Sequence, residues 1–126
     1  MIILNIVIDK TRPICPQIFE YVCLLISTKE FELNSKLPSV REFAVKLEVN
    51  PNTVQKSYDD LEKVGVIYSV KGSGWYVGND IEISKSVVEK LIFQKTKNYI
   101  SEMVKLGVVK EEICKYLQES LGDDSE

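Results

Sequence analysis

The strongest local signal in the sequence lies in residues 39–65, which read SVREFAVKLEVNPNTVQKSYDDLEKVG. Ser39 with Glu42 three residues later forms a capping box, a typical helix start in which two otherwise unpaired backbone N–H groups gain partners. Apolar residues then recur at helical spacing and predict one buried face, made of Val40, Phe43, Ala44 and Leu47. Residues 48–49 are expected to form a tight turn after this short helix.

A second helix is predicted over residues 50–64. Asn50 is a good N-cap, and Pro51 suits the first helical position, where a missing N–H costs nothing. Gly65 can end the helix in a left-handed conformation. The side chains expected to face inward are Val54, Tyr58, Leu61 and Val64. Two helices about a tight turn indicate a helix-turn-helix motif, with residues 50–64 as its recognition helix.

The flanking segments complete a winged version of this motif. Upstream, Pro13 and Pro16 bracket a turn, and a helix follows whose apolar stripe is Ile18, Tyr21, Val22, Leu25 and Ile26. Downstream, residues 66–70 and 75–77 read as strands on either side of a glycine-containing loop, which predicts a β-hairpin wing. A first strand is expected at the start of the chain, from Ile2, Ile3, Leu4, Ile6, Val7 and Ile8.

Residues 78–80 break the pattern, so we expect a DNA-binding domain at 1–78 and a helical tail at 79–126. Ser84 is predicted to cap the first tail helix, Gly107 to end it, and residues 109–121 to form the second helix before a frayed end. One apolar stripe predicts dimerisation through Val88, Leu91, Ile92, Tyr99, Ile100, Met103, Ile113 and Leu117. The expected fold class is α+β, mostly α: a winged helix-turn-helix followed by a two-helix dimerisation tail.

Composition sets limits on function. The chain has 126 residues, of which 44% are hydrophobic and 28% charged, as expected of an ordinary globular protein. The net charge is −3, which is unlike a strongly basic nucleic-acid-binding domain. Residues 1–78 carry nine basic and nine acidic groups, so the excess acidity lies in the tail. A local basic face therefore remains available to the first domain.

Three cysteines and no histidine argue against several chemistries. Cys15, Cys23 and Cys114 form no CxxC pair, so neither a disulfide framework nor a metal site is expected, and no cofactor is predicted. No catalytic residues are predicted, because the commonest general base is absent and no nucleophile motif occurs. Residues 1–8 are too short and uncharged for a signal peptide or a membrane span, and a cytoplasmic protein is expected.

The outward face of the predicted recognition helix carries Asn52, Gln55, Lys56, Asp59 and Lys63. Asn and Gln can pair with adenine in the major groove, and Lys can reach guanine or a phosphate. The helix N-terminus offers N–H groups to a phosphate. Gln55 and Lys56 can equally be ordinary solvated residues. Asp59 would repel phosphate, so it lies off the contact surface or disfavours wrong partners.

The same residues resemble the DNA-binding domain of GntR-family bacterial regulators. The motifs LPSVRE, VNPNTV, the Tyr-x-x-Leu-Glu-x-x-Gly run ending at Gly65 and the glycine-bearing wing agree in order and spacing across residues 4–78. The short tail is similar to that of the YtrA-like subfamily. The resemblance implies that DNA is contacted by Ser39, Arg41, Asn50, Asn52, Thr53, Gln55, Lys56, Lys71 and Gly72.

Two departures from the family pattern bear on geometry. Glu48 stands in the turn where the family usually has glycine, which predicts some backbone strain. Trp75 replaces a wing threonine, and its ring either lies along the sugar-phosphate edge or folds back onto the domain.

The resemblance implies a homodimeric, non-enzymatic transcriptional regulator, a repressor that binds a palindromic operator in double-stranded DNA. The recognition helix 50–64 would enter the major groove, and the wing at 70–76 would meet the minor groove or the backbone. Two alternatives remain open: a winged helix that binds a protein partner, and a regulator gated by a small-molecule effector held between wing domain and tail.

Overall fold

A computed structural model describes residues 7–124 and contains five helices and one two-stranded antiparallel sheet within them. The elements are α1 (Ile14–Ser27), α2 (Val40–Leu47), α3 (Pro51–Lys63), β1 (Ile67–Val70), β2 (Gly74–Val77), α4 (Ile81–Lys105) and α5 (Lys110–Asp124). The mostly helical fold class with a β-hairpin is confirmed. Residues 2–6 of the predicted first strand lie outside the described residues, and Val7 and Ile8 have no regular structure.

The chain divides into two compact units, Met1–Glu89 and Lys90–Glu126. The first unit extends into α4 because partly buried apolar residues of that helix's first two turns pack against its core: Ile81, Ile83, Val87 and Val88. The functional boundary between residues 78 and 79 stays a prediction.

The core of the first unit is built where α1, α2, α3 and the hairpin meet. The expected inward faces of α1 and α2 are buried, with Val40 only partly so, and those of α3 are buried up to Leu61. Burial of each such aliphatic or aromatic side chain contributes about 1.5–3 kcal/mol. A row of aromatic rings runs through this core: Tyr21 stacks on Phe43, Phe43 lies 6.1 Å from Tyr58, and Tyr58 meets Trp75 edge-on at 5.5 Å.

Both predicted helix starts are confirmed. The Ser39 hydroxyl accepts from the Glu42 N–H at 3.1 Å, and the Glu42 carboxylate accepts from the Ser39 N–H at 2.9 Å, which completes the capping box. The Asn50 side-chain oxygen accepts from the Asn52 N–H at 2.7 Å, with Pro51 at the first helical position. Gly65 has a φ of 87°, as expected for the end of α3.

Two local predictions were wrong. Val64 does not face inward: its side chain is 48% exposed, because α3 ends at Lys63 and Val64 leaves the helical path. Ser84 does not cap a helix, since α4 begins at Ile81 and the Asp80 carboxylate accepts from the Glu82 N–H at 3.0 Å. Ser84 is instead buried inside α4. α5 ends at Asp124, and the last two residues of the predicted frayed end lie outside the described residues.

Glu48 adopts the strained conformation that its position in the turn predicted. Its φ and ψ are 56° and 49°, the left-handed region, and its N–H completes the end of α2 by bonding to the Val45 carbonyl at 3.2 Å. A side chain in this conformation costs about 1–2 kcal/mol because Cβ crowds the backbone.

We expect Glu48→Gly to raise the free energy of unfolding by about 0.5–1 kcal/mol, since relief of strain exceeds the added entropy of an unfolded glycine. Chemical denaturation followed by circular dichroism measures the change. Glu48→Ala is the matched control, because it removes the same charge and keeps the Cβ. An equal gain in both variants would show that charge, not backbone strain, is responsible.

Candidate nucleic-acid interface

The exposed side of α3 is the surface that the sequence assigned to DNA. Asn52, Gln55 and Lys56 are exposed, and Thr53 is half-buried, while Val54, Ser57, Tyr58 and Leu61 on the opposite side are fully buried. The buried side leaves the helix little freedom to rotate about its axis. The exposed face is therefore held in one orientation relative to the core.

The sequence predicts free backbone N–H groups at the start of α3, but in the structure the first of these groups are already paired. The Asn52 N–H already donates to the Asn50 side chain at 2.7 Å, and the Thr53 N–H donates to the Asn50 carbonyl at 3.0 Å. Pro51 has no N–H to offer. A phosphate at this helix end would therefore be held mainly by side chains, including the amide NH₂ of Asn50.

Two side chains of the recognition face are bonded to acidic residues one turn later. Gln55 Nε2 donates to Asp59 Oδ1 at 3.0 Å, and Lys56 Nζ lies 3.4 Å from Asp60 Oδ2. The first contact is a hydrogen bond and the second an ion pair, and such contacts between exposed or partly exposed side chains contribute little to stability. They can open at small cost when a ligand offers better partners.

Arg41 stands on the second residue of α2 and is exposed. The ion pairs of residues 7–124 are Arg12 with Asp9 and Lys56 with Asp60, so Arg41 belongs to neither. The capping box beside it orients the first turn of α2. Hydrogen bonds from the Ser39 backbone and side chain hold the pKa of Glu42 below its usual value, so this carboxylate is ionised at neutral pH.

The hairpin between β1 and β2 forms the predicted wing, with Tyr68 opposite Tyr76 and Val70 opposite Gly74. Lys71 and Gly72 are exposed at its tip, where Gly72 has a φ of 80° that favours glycine. The hairpin is anchored to the loop before α2, because the Leu37 N–H donates to the Trp75 carbonyl at 2.8 Å. The ring of Trp75 packs inward on Tyr58, which settles the two alternatives for this residue in favour of the core.

Tyr58 connects all three candidate segments. Its hydroxyl donates to the Pro38 carbonyl at 2.9 Å, immediately before the capping box, and its ring contacts Trp75 of the wing. Burial raises the pKa of Tyr58 well above its usual value, so the hydroxyl stays protonated and remains a donor. The start of α2, the recognition helix and the wing are thus supported by one side chain.

One cleft beside α3 was not identified from the sequence. It has a volume of about 500 Å³ and is lined by Arg12, Pro13, Ile14, Cys15, Asn52, Thr53 and Lys56. Ser57 ties its two walls together by donating to the Cys15 carbonyl at 2.9 Å. Arg12 is bonded to Asp9 at 2.9 Å. The upstream proline motif suggested a helix start here, but nothing local in it indicates contact with a residue more than 40 positions away.

The predicted dimerisation residues differ in how far they are exposed to solvent. Val88 packs against the core of the first unit. Within residues 90–122, Ile113 is only 5% exposed, and Leu91, Tyr99, Ile100 and Met103 are partly buried. Ile92 is 59% exposed and Leu117 is exposed. Val104 and Leu121, which continue the predicted stripe, are also exposed. The exposed apolar side chains that the stripe omitted are Phe93, Leu106, Val109 and Tyr116.

Metal ligation, cysteine pairing and membrane spanning can also be assessed in residues 7–124. No group of three or more metal-ligating side chains occurs among them. Cys15, Cys23 and Cys114 are unpaired, and burial raises the pKa of Cys23 to about 11. None of the described helices is long and apolar enough to span a bilayer.

The ionised capping box makes stability depend on acid. Because the pKa of Glu42 is lowered in the folded chain, its contribution to stability is present above the unfolded pKa of about 4.5 and is lost as pH falls through the folded pKa. We expect Glu42→Gln to be less stable than wild type at pH 7 and the difference to shrink as the pH is lowered below 4.5.

Thermal unfolding of both proteins at several pH values measures this difference. The matched control is Glu111→Gln, because Glu111 lies in the first turn of α5 and belongs to neither ion pair found in residues 7–124. Glu62→Gln is unsuitable, because the Glu62 carboxylate accepts a hydrogen bond from the Ser69 hydroxyl at 2.8 Å. A stability difference for Glu42→Gln that stays constant with pH would contradict the charged capping box.

Comparison with known proteins identifies the architecture. Residues 16–77 match the family described as bacterial regulatory proteins, gntR family. The HTH-type transcriptional regulator YhcF of Bacillus subtilis is 34% identical over 105 residues, covering 83% of this chain and 87% of YhcF. The HTH-type transcriptional repressor YtrA of the same organism is 32% identical over 117 residues, covering 90% of this chain and 88% of YtrA.

A solved structure shares both units of the chain. A GntR family transcriptional regulator from Listeria monocytogenes superposes with a TM-score of 0.75 at 42% identity, covering 88% of this chain and 97% of that one. The likeness to YtrA and to this structure extends beyond the winged domain into the tail. The chain therefore belongs to the gntR family of bacterial regulatory proteins, in its YtrA-like branch, and is a helix-turn-helix transcriptional regulator.

Proposed function

We propose that the chain acts as a homodimeric repressor that binds a palindromic operator in double-stranded DNA. The observation that carries the proposal is the exposed Asn52–Gln55–Lys56 face of α3, held by a fully buried opposite face. A helix presented in this way fits the major groove, where amide and ammonium groups distinguish base edges. The repressor role rests on similarity to YtrA, whose name describes it as a repressor.

The remaining predicted contacts divide by chemistry. Asn52, Gln55 and Lys56 would read base edges. Phosphates would be contacted by Ser39, Arg41, Asn50 and Thr53. The wing contact would be formed by Lys71 and Gly72. Phosphate contacts position the protein on the duplex, and base contacts supply the sequence preference.

Charge is the main objection to DNA binding, since residues 1–78 have no net charge. Part of the acidic charge is already engaged within the domain: Asp9 bonds to Thr11 and Arg12, and Glu62 to Ser69. Arg41 and Lys71, by contrast, are exposed and in no ion pair among residues 7–124. A local excess of positive charge on the contact surface is compatible with a neutral domain.

The proposal assigns no catalytic activity and no cofactor, in keeping with relatives that are regulators. Its place of action would be the cytoplasm, where bacterial DNA lies. A protein-binding role remains the second candidate, favoured by the zero net charge of residues 1–78.

Arg41→Ala should weaken binding to duplex DNA from the region upstream of the protein's own gene by about tenfold or more, because a charged phosphate contact is lost. Fluorescence anisotropy at two salt concentrations measures the affinity, and the salt dependence of the variant should also be smaller. Lys85→Ala is the control, since it removes one exposed positive charge from α4.

Equal affinity of the wild type for upstream and scrambled DNA would count against operator binding and favour a protein partner or a required effector. Equal weakening by Arg41→Ala and Lys85→Ala would remove Arg41 from the contact surface.

Dimerisation through the tail is supported by the exposed apolar side chains of residues 90–122. A short two-helix unit leaves Ile92, Phe93 and Leu117 in water, and exposed apolar groups in such number mark interaction surfaces. A symmetric dimer would place two recognition helices on half-sites roughly 10 base pairs apart, or a multiple of that.

Ile92→Glu should convert the dimer to a monomer at micromolar concentration, because a carboxylate would replace an apolar group in the interface. Sedimentation equilibrium measures the mass. Gln94→Glu adds the same charge two residues away on an already polar, exposed position and should leave the dimer intact. A wild-type monomer, or a dimer in both variants, would contradict this interface.

A further inference from the structure

The carboxylate of Asp59 shares the reading face of α3 and is not explained by the contacts proposed so far. Asn52, Gln55 and Asp59 stand at positions i, i+3 and i+7, which lie on one side of a helix. Asp59 is exposed, and Gln55 Nε2 donates to its Oδ1 at 3.0 Å. The acidic group is therefore part of the surface that faces the proposed groove.

This hydrogen bond determines which way the Gln55 amide faces. An ionised carboxylate accepts hydrogen bonds and cannot donate them, so only the NH₂ group of Gln55 can turn toward Asp59. The Gln55 side-chain oxygen is then directed away. While this bond is kept, the pair presents one amide acceptor, one remaining N–H donor and the second carboxylate oxygen of Asp59.

No lysine forms an ion pair with Asp59 within residues 7–124. Lys56 lies 3.4 Å from Asp60 instead, and Asp59 is in neither ion pair found in residues 7–124. A carboxylate that keeps its full charge beside DNA repels phosphates and every base edge that carries only acceptors. It is compatible with a base that offers an amino group.

We infer that Asp59, positioned together with Gln55, selects cytosine at one base pair of each half-site. In the major groove cytosine presents its N4 amino group, which Asp and Glu accept well. Thymine presents the O4 acceptor at the same place, and guanine presents O6 and N7, so both meet the carboxylate with like polarity. Adenine offers an amino group beside the N7 acceptor and fits less well. The inference rests on the proposed operator binding, and it adds a specificity-determining residue to it.

The test is selection of binding sites from randomised duplexes by the full-length wild type, Asp59→Asn and Asp60→Asn, followed by affinity measurements on single-base variants. Asn at position 59 keeps the shape and can both donate and accept, so it no longer distinguishes an amino group from a carbonyl. The wild type should prefer cytosine over thymine at one position per half-site by about tenfold, and Asp59→Asn should lose most of that preference.

Asp60→Asn is the matched control. It removes the same charge from the next residue of the same helix, from a side chain that bonds to Lys56 and not to Gln55. It can change the overall affinity and the preference at the base that Lys56 reads, and it should leave the cytosine preference at the position assigned to Asp59 unchanged. Both positions are at least partly exposed, and circular dichroism checks that all three proteins fold alike.

The inference is overturned if Asp59→Asn retains the cytosine preference and only binds all duplexes more tightly, since Asp59 would then act by charge alone. It also fails if the wild type selects a palindrome with no cytosine preference that responds to position 59, and operator binding would survive that result. If the wild type selects no sequence, the proposed function and the role of Asp59 fail together.

Discussion

The buried side chain of Tyr58 is the constraint on which the arrangement of the winged domain depends. It lies on the recognition helix, yet its hydroxyl donates to the Pro38 carbonyl before α2, and its ring contacts Phe43 of α2 and Trp75 of the wing. A partly buried acceptor left without its donor costs about 1–3 kcal/mol, and an aromatic ring of this size contributes more through its burial. Tyr58 thereby holds the start of α2, α3 and the wing on one core. The positions of the polar residues on these segments follow from that packing.

Burial of one side of α3 also determines which of its side chains face the solvent. Because Val54, Tyr58 and Leu61 cannot leave the core, Gln55 and Lys56 must point outward, where they bond to Asp59 and Asp60 in the free protein. Such exposed pairs hold side chains in place at little energetic gain. They make the free surface polar and locally satisfied, so that a ligand must supply comparable partners before it is bound. A DNA sequence that cannot replace the Gln55–Asp59 and Lys56–Asp60 contacts would bind more weakly, and this difference in affinity would give sequence selectivity.

Local chemistry explains which features could be predicted from the sequence. Caps and left-handed positions depend on neighbours within four residues, so the Ser39 capping box, the Asn50 cap, Gly65 and the strained Glu48 were all predictable. Features that depend on tertiary contact were not. Trp75 turned inward because Tyr58 lies beneath the hairpin, and Ser84 proved to be buried in α4 because that helix starts earlier and packs on the core. The recognition face followed from helical periodicity, but the pairing of its side chains with Asp59 and Asp60 and the cleft beside Arg12 required the structure.

We propose that one surface, formed by the start of α2, the exposed side of α3 and the wing tip, meets DNA. The most direct measurement is a titration of ¹⁵N-labelled protein with duplex DNA from upstream of its own gene, followed by amide chemical shifts. We expect the largest changes to cluster at residues 39–41, 50–59 and 71–72. Changes confined to α5 or to the Tyr68–Tyr76 side of the hairpin, with these three segments unaffected, would contradict it.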